Sequence, residues 1–290
     1  MAHSSEHPRP GASHYDSAPA SGMIFPADSS KIVAFFDLDK TIIATSSVYV
    51  YGREFLHSGL ISPATALQIS IAKATYMIAG HSSEQMDTTR DQLAQMIVGW
   101  SEEQVKTIAT ETMHSLVTPT IYEEARELIR MHQEAGHDVV IISASARILV
   151  EPIAQELGVE TVVATELVVK DGKFTGEMPF YCKGEMKAQA IAELTQQRGY
   201  ALESSFAYSD SVTDLLMLEA VGHPIVVNPD RALRRIATEK GWEIRTFKSP
   251  VPLFPKPTMR EVQIGTGVAA GVAAMLGGVV WWNKRTDKRT

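Results

Sequence analysis

The sequence predicts an α/β protein, a parallel sheet flanked by helices with a helical segment inserted after the first strand. Three observations carry that expectation. Short apolar runs, such as Ile32 to Phe36 and Val139 to Ile142, end abruptly in an acid or a hydroxyl, as fully buried parallel strands do where they emerge at a sheet's carboxyl edge. Beyond residue 117 such runs alternate with helical stretches, the pattern that builds a parallel sheet. Between about Val48 and Leu116 no comparable run occurs.

The elements follow in order. Lys31 to Asp37 is the first strand, and a ligand site is expected at its carboxyl end. Residues 48–116 read as several helices, with Ser62-Pro63, His81-Ser82-Ser83-Glu84 and Ser101-Glu102-Glu103 as start signals. A helix from about Pro119 to Ala135, a strand His137 to Ser143, a helix Arg147 to Leu157 and a strand Thr161 to Ala164 come next. Glu166 to Glu177 carries Asp171-Gly172 between short apolar runs, a hairpin signal and an excursion from the sheet. A helix Lys183 to Arg198, a strand Phe206 to Ser209, a helix Val212 to Ala220 and a strand Pro224 to Val227 complete a Rossmann-like alternation. The core is thus expected over 31–47 and 117–247, with 48–116 as a helical cap. No internal repeat is visible.

A chain of 290 residues, 44% hydrophobic and 21% charged, can bury a full core. Its formal net charge of -7 and the lack of a basic stripe before the last residues exclude general nucleic-acid binding, which needs clustered Lys and Arg. The lone Cys182 forms no internal disulfide or thiolate metal cage and reads as a buried, neutral thiol.

The two ends differ. Residues 1–30 are rich in Ser, Ala, Pro, Gly and His, have no secretory pattern and read as a disordered tail. His3, His7 and His14 lack a spacing that would converge on an ion. Residues 248–263, with prolines at 250, 252, 255 and 257, read as a linker. The nineteen residues 264–282 carry no charge and would span roughly 28 Å as a helix, close to a bilayer's hydrocarbon core. Trp281 and Trp282 suit an interfacial belt, Gly267 and Gly271 a close helix-packing face, and Lys284, Arg285, Lys288 and Arg289 form a basic tail over 283–290. A C-terminal transmembrane helix is therefore expected, anchoring a cytoplasmic catalytic domain to the cell membrane. Lys248, Lys256 and Arg260 form a basic flank upstream, so the orientation stays open.

Chemistry-bearing residues fall at the predicted strand ends. Asp37 and Asp39 leave the first strand together while Leu38 points elsewhere. Paired acids behind an apolar strand demand a cation or a proton. Ser143 ends the second strand, Lys183 opens a helix, and Asp210 and Asp214 bracket the turn after a third strand. Each alone is ordinary: Ser143 can cap a helix, Lys183 can be a surface charge, and the two acids can be helix-start residues. Together they place four carboxylates, a hydroxyl and an ammonium at one edge, a set suited to phosphoryl transfer with a hard cation.

With these motifs in order, the chain resembles the haloacid dehalogenase superfamily of phosphatases, in the branch related to phosphoserine phosphatase. The resemblance covers about Lys31 to Trp242. It rests on Asp37-Leu38-Asp39-Lys40-Thr41, on the run ending at Ser143, on Tyr181-Cys182-Lys183-Gly184-Glu185 and on Tyr208-Ser209-Asp210-Ser211-Val212-Thr213-Asp214. It implies Asp37 as nucleophile and Mg²⁺ ligand, and Asp39 as general acid and base with its main-chain carbonyl on Mg²⁺. It further implies Thr41, Ser143 and Lys183 at the substrate phosphate, Asp210 on Mg²⁺, and Asp214 as a further ligand or a support behind it. The expected activity is Mg²⁺-dependent hydrolysis of a phosphomonoester, from a small metabolite or a lipid head group, through an aspartyl-phosphate. The cap would act as a lid, with Tyr49, Tyr51, Arg53 and Trp100 as candidate contributors.

Two departures bear on this. The segment Ile42 to Val48 has no acid to receive the amine of phosphoserine and offers Ser46 instead. Ser209, Ser211 and Thr213 replace the usual Gly, Gly and Asn of the fourth motif. Phosphoserine phosphatase proper and a non-catalytic scaffold on the same fold are the alternatives, phosphotransfer to an alcohol stays open, and dehalogenation would leave Asp39 without a task.

Overall fold

A computed structural model describes residues 31–62 and 94–248. Six parallel strands form one sheet in the order β3-β2-β1-β6-β7-β8, with β1 at Val33–Phe36, β2 at Asp138–Ala146, β3 at Thr161–Thr165, β6 at Phe206–Ser209, β7 at His223–Val227 and β8 at Glu243–Arg245. Both faces are covered, so the strands alternate between two apolar cores rather than between core and water. Ala34, Phe36, Ile141, Tyr208 and Ile225 point to one, and Val33, Phe35, Val140, Ala207 and Val226 to the other. That is why these strands read as continuous apolar runs.

The first core packs against α3 (Glu123–Glu134) and α4 (Arg147–Glu156), through Leu128, Ile129, Val150 and Ile153. The second packs against α5 (Glu185–Arg198), α6 (Leu215–Glu219) and α7 (Arg231–Lys240), through Ile191, Leu218 and Leu233. The first core also holds a polar thread, in which His132 Nε2 lies 2.8 Å from Tyr208 Oη and its Nδ1 lies 2.9 Å from His137 Nδ1. Burial, with His137 and Arg245 nearby, pushes the imidazole of His132 down to about 3 and keeps it neutral.

Two antiparallel pieces, β4 (Val169–Lys170) and β5 (Lys173–Phe174), make the expected hairpin. Its turn places Asp171 and Gly172 at φ of 51° and 71°, the doubly left-handed conformation for which Asp-Gly is suited. Of the expected cap, the described residues include α1 (Ser47–His57) and α2 (Glu102–Glu111). Residues 63–93, nearly half of that segment, lie outside them.

Several boundaries differ from the sequence reading. Strand β2 runs three residues past Ser143 because its pairing with β3 resumes at Ala146 and Thr165 after a register shift. The stretch from Val212 opens as a 3₁₀ turn, Val212–Asp214, before α6 begins. Helix α7 and strand β8 lie beyond the predicted alternation, and Asp230, whose side chain accepts from Leu233 N at 2.8 Å, and Gly241, at φ 69°, mark the helix ends.

The expected transmembrane segment, residues 264–282, and both tails lie outside the described residues. Among the described residues no helix is long and apolar enough to cross a membrane.

Candidate active site

The chain runs outward from β1 to β2 and β3 on one side, then returns to β6 on the other. That reversal opens a crevice at the carboxyl end of β1, the place where parallel sheets bind ligands. Asp37 N donates to Tyr208 O at 2.9 Å, so the first acid is fixed as the last paired position between β1 and β6. Leu38 is fully buried and its carbonyl accepts from Thr41, Ile42 and Ile43 N. This turn, with Lys40 at φ 62°, presents Asp37 and Asp39 on either side of an apolar anchor.

Four sequence-derived acids and Ser143 meet at this edge, but the cation among them is a different one. Lys187 Nζ donates to Asp37 Oδ1 at 2.6 Å and to Asp214 Oδ2 at 2.7 Å. Lys183, expected at the substrate phosphate, stands before α5 begins and forms no ion pair among the described residues. The different placement of the two lysines has a physical reason. Gly184, at φ 59°, turns the chain into the helix, and only from Glu185 onward do side chains follow a helical stripe toward the sheet. Lys187, Ala190 and Ile191 are the buried residues of that stripe, so the legible signal was a lysine at i, i+3 and i+4 spacing with apolar residues.

Burial raises the Asp37 carboxyl well above the ordinary range, with Lys187 opposing and Asp214 and Asp210 reinforcing. For Lys187, burial would weaken the charged form, but Asp214 and Asp37 outweigh it and hold the ammonium firmly protonated. Asp210 is pushed up to about 7 by burial, opposed by Lys40, whose Nζ lies 4.0 Å from Oδ2. Lys183 is half-buried, and that burial lowers its proton affinity while Asp214 partly restores it.

Asp39 is partly buried, and its raised proton affinity, caused by burial, is opposed by hydrogen bonds from Ser47, Ser46 and Ser145. Ser46, at the position where an acid would receive an amine, turns its hydroxyl to Asp39 Oδ2 at 3.3 Å. Ser143 is buried, and its Oγ accepts from Ser145 N at 3.1 Å. Thr41 is also buried, and its Oγ1 has no hydrogen-bond partner among the described residues. Cys182 is buried, and burial pushes its thiol up to about 12.

The altered fourth motif is stitched by its own hydroxyls. Ser209 Oγ donates to Asp214 Oδ2 at 2.7 Å and accepts from Ser211 N at 3.3 Å, while Ser211 Oγ accepts from Thr213 N at 3.3 Å. Serine therefore holds the turn that glycine was expected to form. Among the lid candidates, Tyr51 is a core residue whose hydroxyl donates to Leu149 O at 3.3 Å, Trp100 packs on Phe55, and Tyr49 and Arg53 are exposed.

The donor set fits a hard divalent cation. Asp214 Oδ2 is already engaged by Lys187 and Ser209, which leaves Asp37 and Asp210 as neighbouring carboxylates with raised proton affinity. Among the described residues no group of three or more His, Cys, Asp or Glu is placed to hold a metal ion by itself. One or two carboxylates completed by carbonyls and waters is the way Mg²⁺ is bound.

A family model described as haloacid dehalogenase-like hydrolase matches residues 34–219. The chain belongs to the haloacid dehalogenase-like hydrolases. It is 47% identical over 255 residues to a probable phosphatase of Mycobacterium tuberculosis, covering 88% of this chain and 89% of that one. It is 33% identical over 217 residues to a phosphoserine phosphatase of the same organism, covering 74% and 70%. A solved phosphoserine phosphatase holding an analogue of its phospho-aspartyl intermediate superposes with a TM-score of 0.56 at 22% identity, covering 76% of this chain and 95% of that one. At that identity the likeness establishes the fold, a phosphoserine phosphatase-like haloacid dehalogenase core.

Proposed function

We propose that this haloacid dehalogenase-like phosphatase hydrolyses a phosphomonoester through an aspartyl-phosphate formed on Asp37. The observation that carries the reading is the buried chain Asp37, Lys187, Asp214 at the sheet's carboxyl edge, with a second carboxyl, Asp39, held two residues away. Asp37 Oδ attacks phosphorus as the ester P–O bond breaks, and Asp39 gives its proton to the departing oxygen. Asp39 then takes a proton from water, whose oxygen displaces Asp37 from phosphorus. Ser143 Oγ and the Lys187 ammonium face the phosphoryl oxygens, Lys183 adds positive charge at the rim, and Thr41 holds the turn that carries Asp39. Mg²⁺ held by Asp37, Asp210 and the Asp39 carbonyl would neutralise the phosphoryl group and let the anionic nucleophile approach.

The substrate proposed is a phosphorylated small molecule, supported by the relative named a phosphoserine phosphatase. Phosphoserine itself is disfavoured, because Ser46 offers no charge and its hydroxyl is turned to Asp39. A panel of soluble phosphomonoesters assayed with Mg²⁺, with EDTA, and after Mg²⁺ is restored tests the reading. Turnover should vanish with EDTA and return with the metal; turnover indifferent to EDTA would overturn it.

A lipid head group is the second substrate class, motivated only by the apolar run 264–282. We propose that this run anchors the chain to a membrane. Full-length chain should sediment with membranes and chain ending at Pro257 should not; equal solubility of both would refute the anchor.

A further inference from the structure

The geometry points to Ser145, backed by Ser47, as a positioning residue that holds the Asp39 carboxyl toward the leaving-group oxygen; the inference rests on the aspartyl-phosphate reading above. Ser46 occupies the N-cap of α1, yet its side chain makes no capping bond. Instead Asp39 does the capping, its Oδ1 accepting from Ser47 N at 2.9 Å. The other oxygen, Oδ2, accepts from Ser46 Oγ and, from the far side, from Ser145 Oγ, each at 3.3 Å. Ser145 belongs to β2, so a helix and a strand distant in sequence clamp one carboxyl between them.

Behind Ser145 lies Ser47, with the two Oγ atoms 2.6 Å apart and both side chains buried. A hydroxyl is at once donor and acceptor. Ser145 donates to Asp39 Oδ2 and can accept from Ser47. With its acceptor side filled by Ser47, the Ser145 proton is committed to Asp39, and the carboxyl is held in one orientation while its own proton is directed at the departing oxygen. In the first step the Asp37 Oδ–P bond forms, the P–O ester bond breaks, and the Asp39 proton moves to the departing oxygen, leaving a neutral alcohol and an Asp39 carboxylate. Accurate delivery matters most when that oxygen is strongly basic.

The test compares kcat/KM in Mg²⁺ for phenyl phosphate, whose leaving group needs a proton, and 2,4-dinitrophenyl phosphate, whose leaving group does not. Ser145→Ala should lower the phenyl ester's value roughly tenfold more than the dinitrophenyl ester's. Ser47→Ala should act in the same direction, and the double variant should resemble Ser145→Ala, because Ser47 works through Ser145. Ser145→Thr, which keeps the hydroxyl, should retain the wild-type ratio between the esters. Equal losses on both esters in Ser145→Ala, or an alanine-like ratio in Ser145→Thr, would overturn the inference and leave the aspartyl-phosphate reading standing. No hydrolysis of either ester by the unaltered chain would overturn both.

Discussion

Asp37→Asn should remove turnover of 4-nitrophenyl phosphate in Mg²⁺ by on the order of 10⁴-fold or more while leaving the protein folded. The amide matches the carboxylate in shape but has no anionic oxygen to bond phosphorus, and so no covalent intermediate forms. Folding should survive because burial already disfavours the charged form of Asp37, and Lys187 keeps its bond to Asp214. The measurement is steady-state kinetics beside a thermal unfolding curve. Residual activity within tenfold of the unaltered chain would sink the nucleophile assignment.

The second large effect separates two lysines four residues apart. Lys187→Met should unfold at lower denaturant, with about 3 kcal/mol lost, because two buried carboxylates then face each other without their shared cation. Part of that loss is relieved when one of them takes up a proton. Activity should fall by about 10²-fold to 10³-fold, since the phosphoryl charge loses its fixed ammonium. Lys183→Met should leave stability nearly unchanged, because Lys183 forms no ion pair among the described residues, and should cost less than about tenfold in kcat/KM. A larger loss for Lys183→Met than for Lys187→Met would restore the order that the sequence motif suggests.

The difference between these lysines shows where reading a sequence stops. Lys183 sits beside Gly184 in the motif and attracts notice, whereas Lys187 lies inside a helix among Ala and Ile. Which of them reaches Asp37 depends on the residue at which the helix starts and on the face it turns to the sheet. Local signals place such boundaries only to within a few residues. Ser46 is a similar case. Its identity argues against an amine-binding acid, but its hydrogen bond to Asp39 exists only once α1 has been set against the turn after β1. Ser145 and Ser47 meet across 98 positions of chain, a distance that no spacing rule covers. Helix α7 is a different case: it has a cap at Asp230 and a stop at Gly241, but the alternation of strands and helices is complete at Val227 without it.

The acids at strand ends were legible because a buried parallel strand must be apolar throughout, and an abrupt acid can sit only where the strand leaves the sheet. That rule determined the α/β class and the candidacy of the acids Asp37, Asp39, Asp210 and Asp214 beyond the strand ends, and the Asp-Gly turn signal determined the hairpin at Asp171-Gly172. The tertiary structure decided which groups face one another. The order β3-β2-β1-β6-β7-β8 brings the ends of β1 and β6 together, where Lys187 bridges Asp37 to Asp214 and Ser145 reaches Asp39. Contact between side chains depends on strand order and helix rotation, and these are fixed by burying two apolar faces at once rather than by the pattern of any one segment.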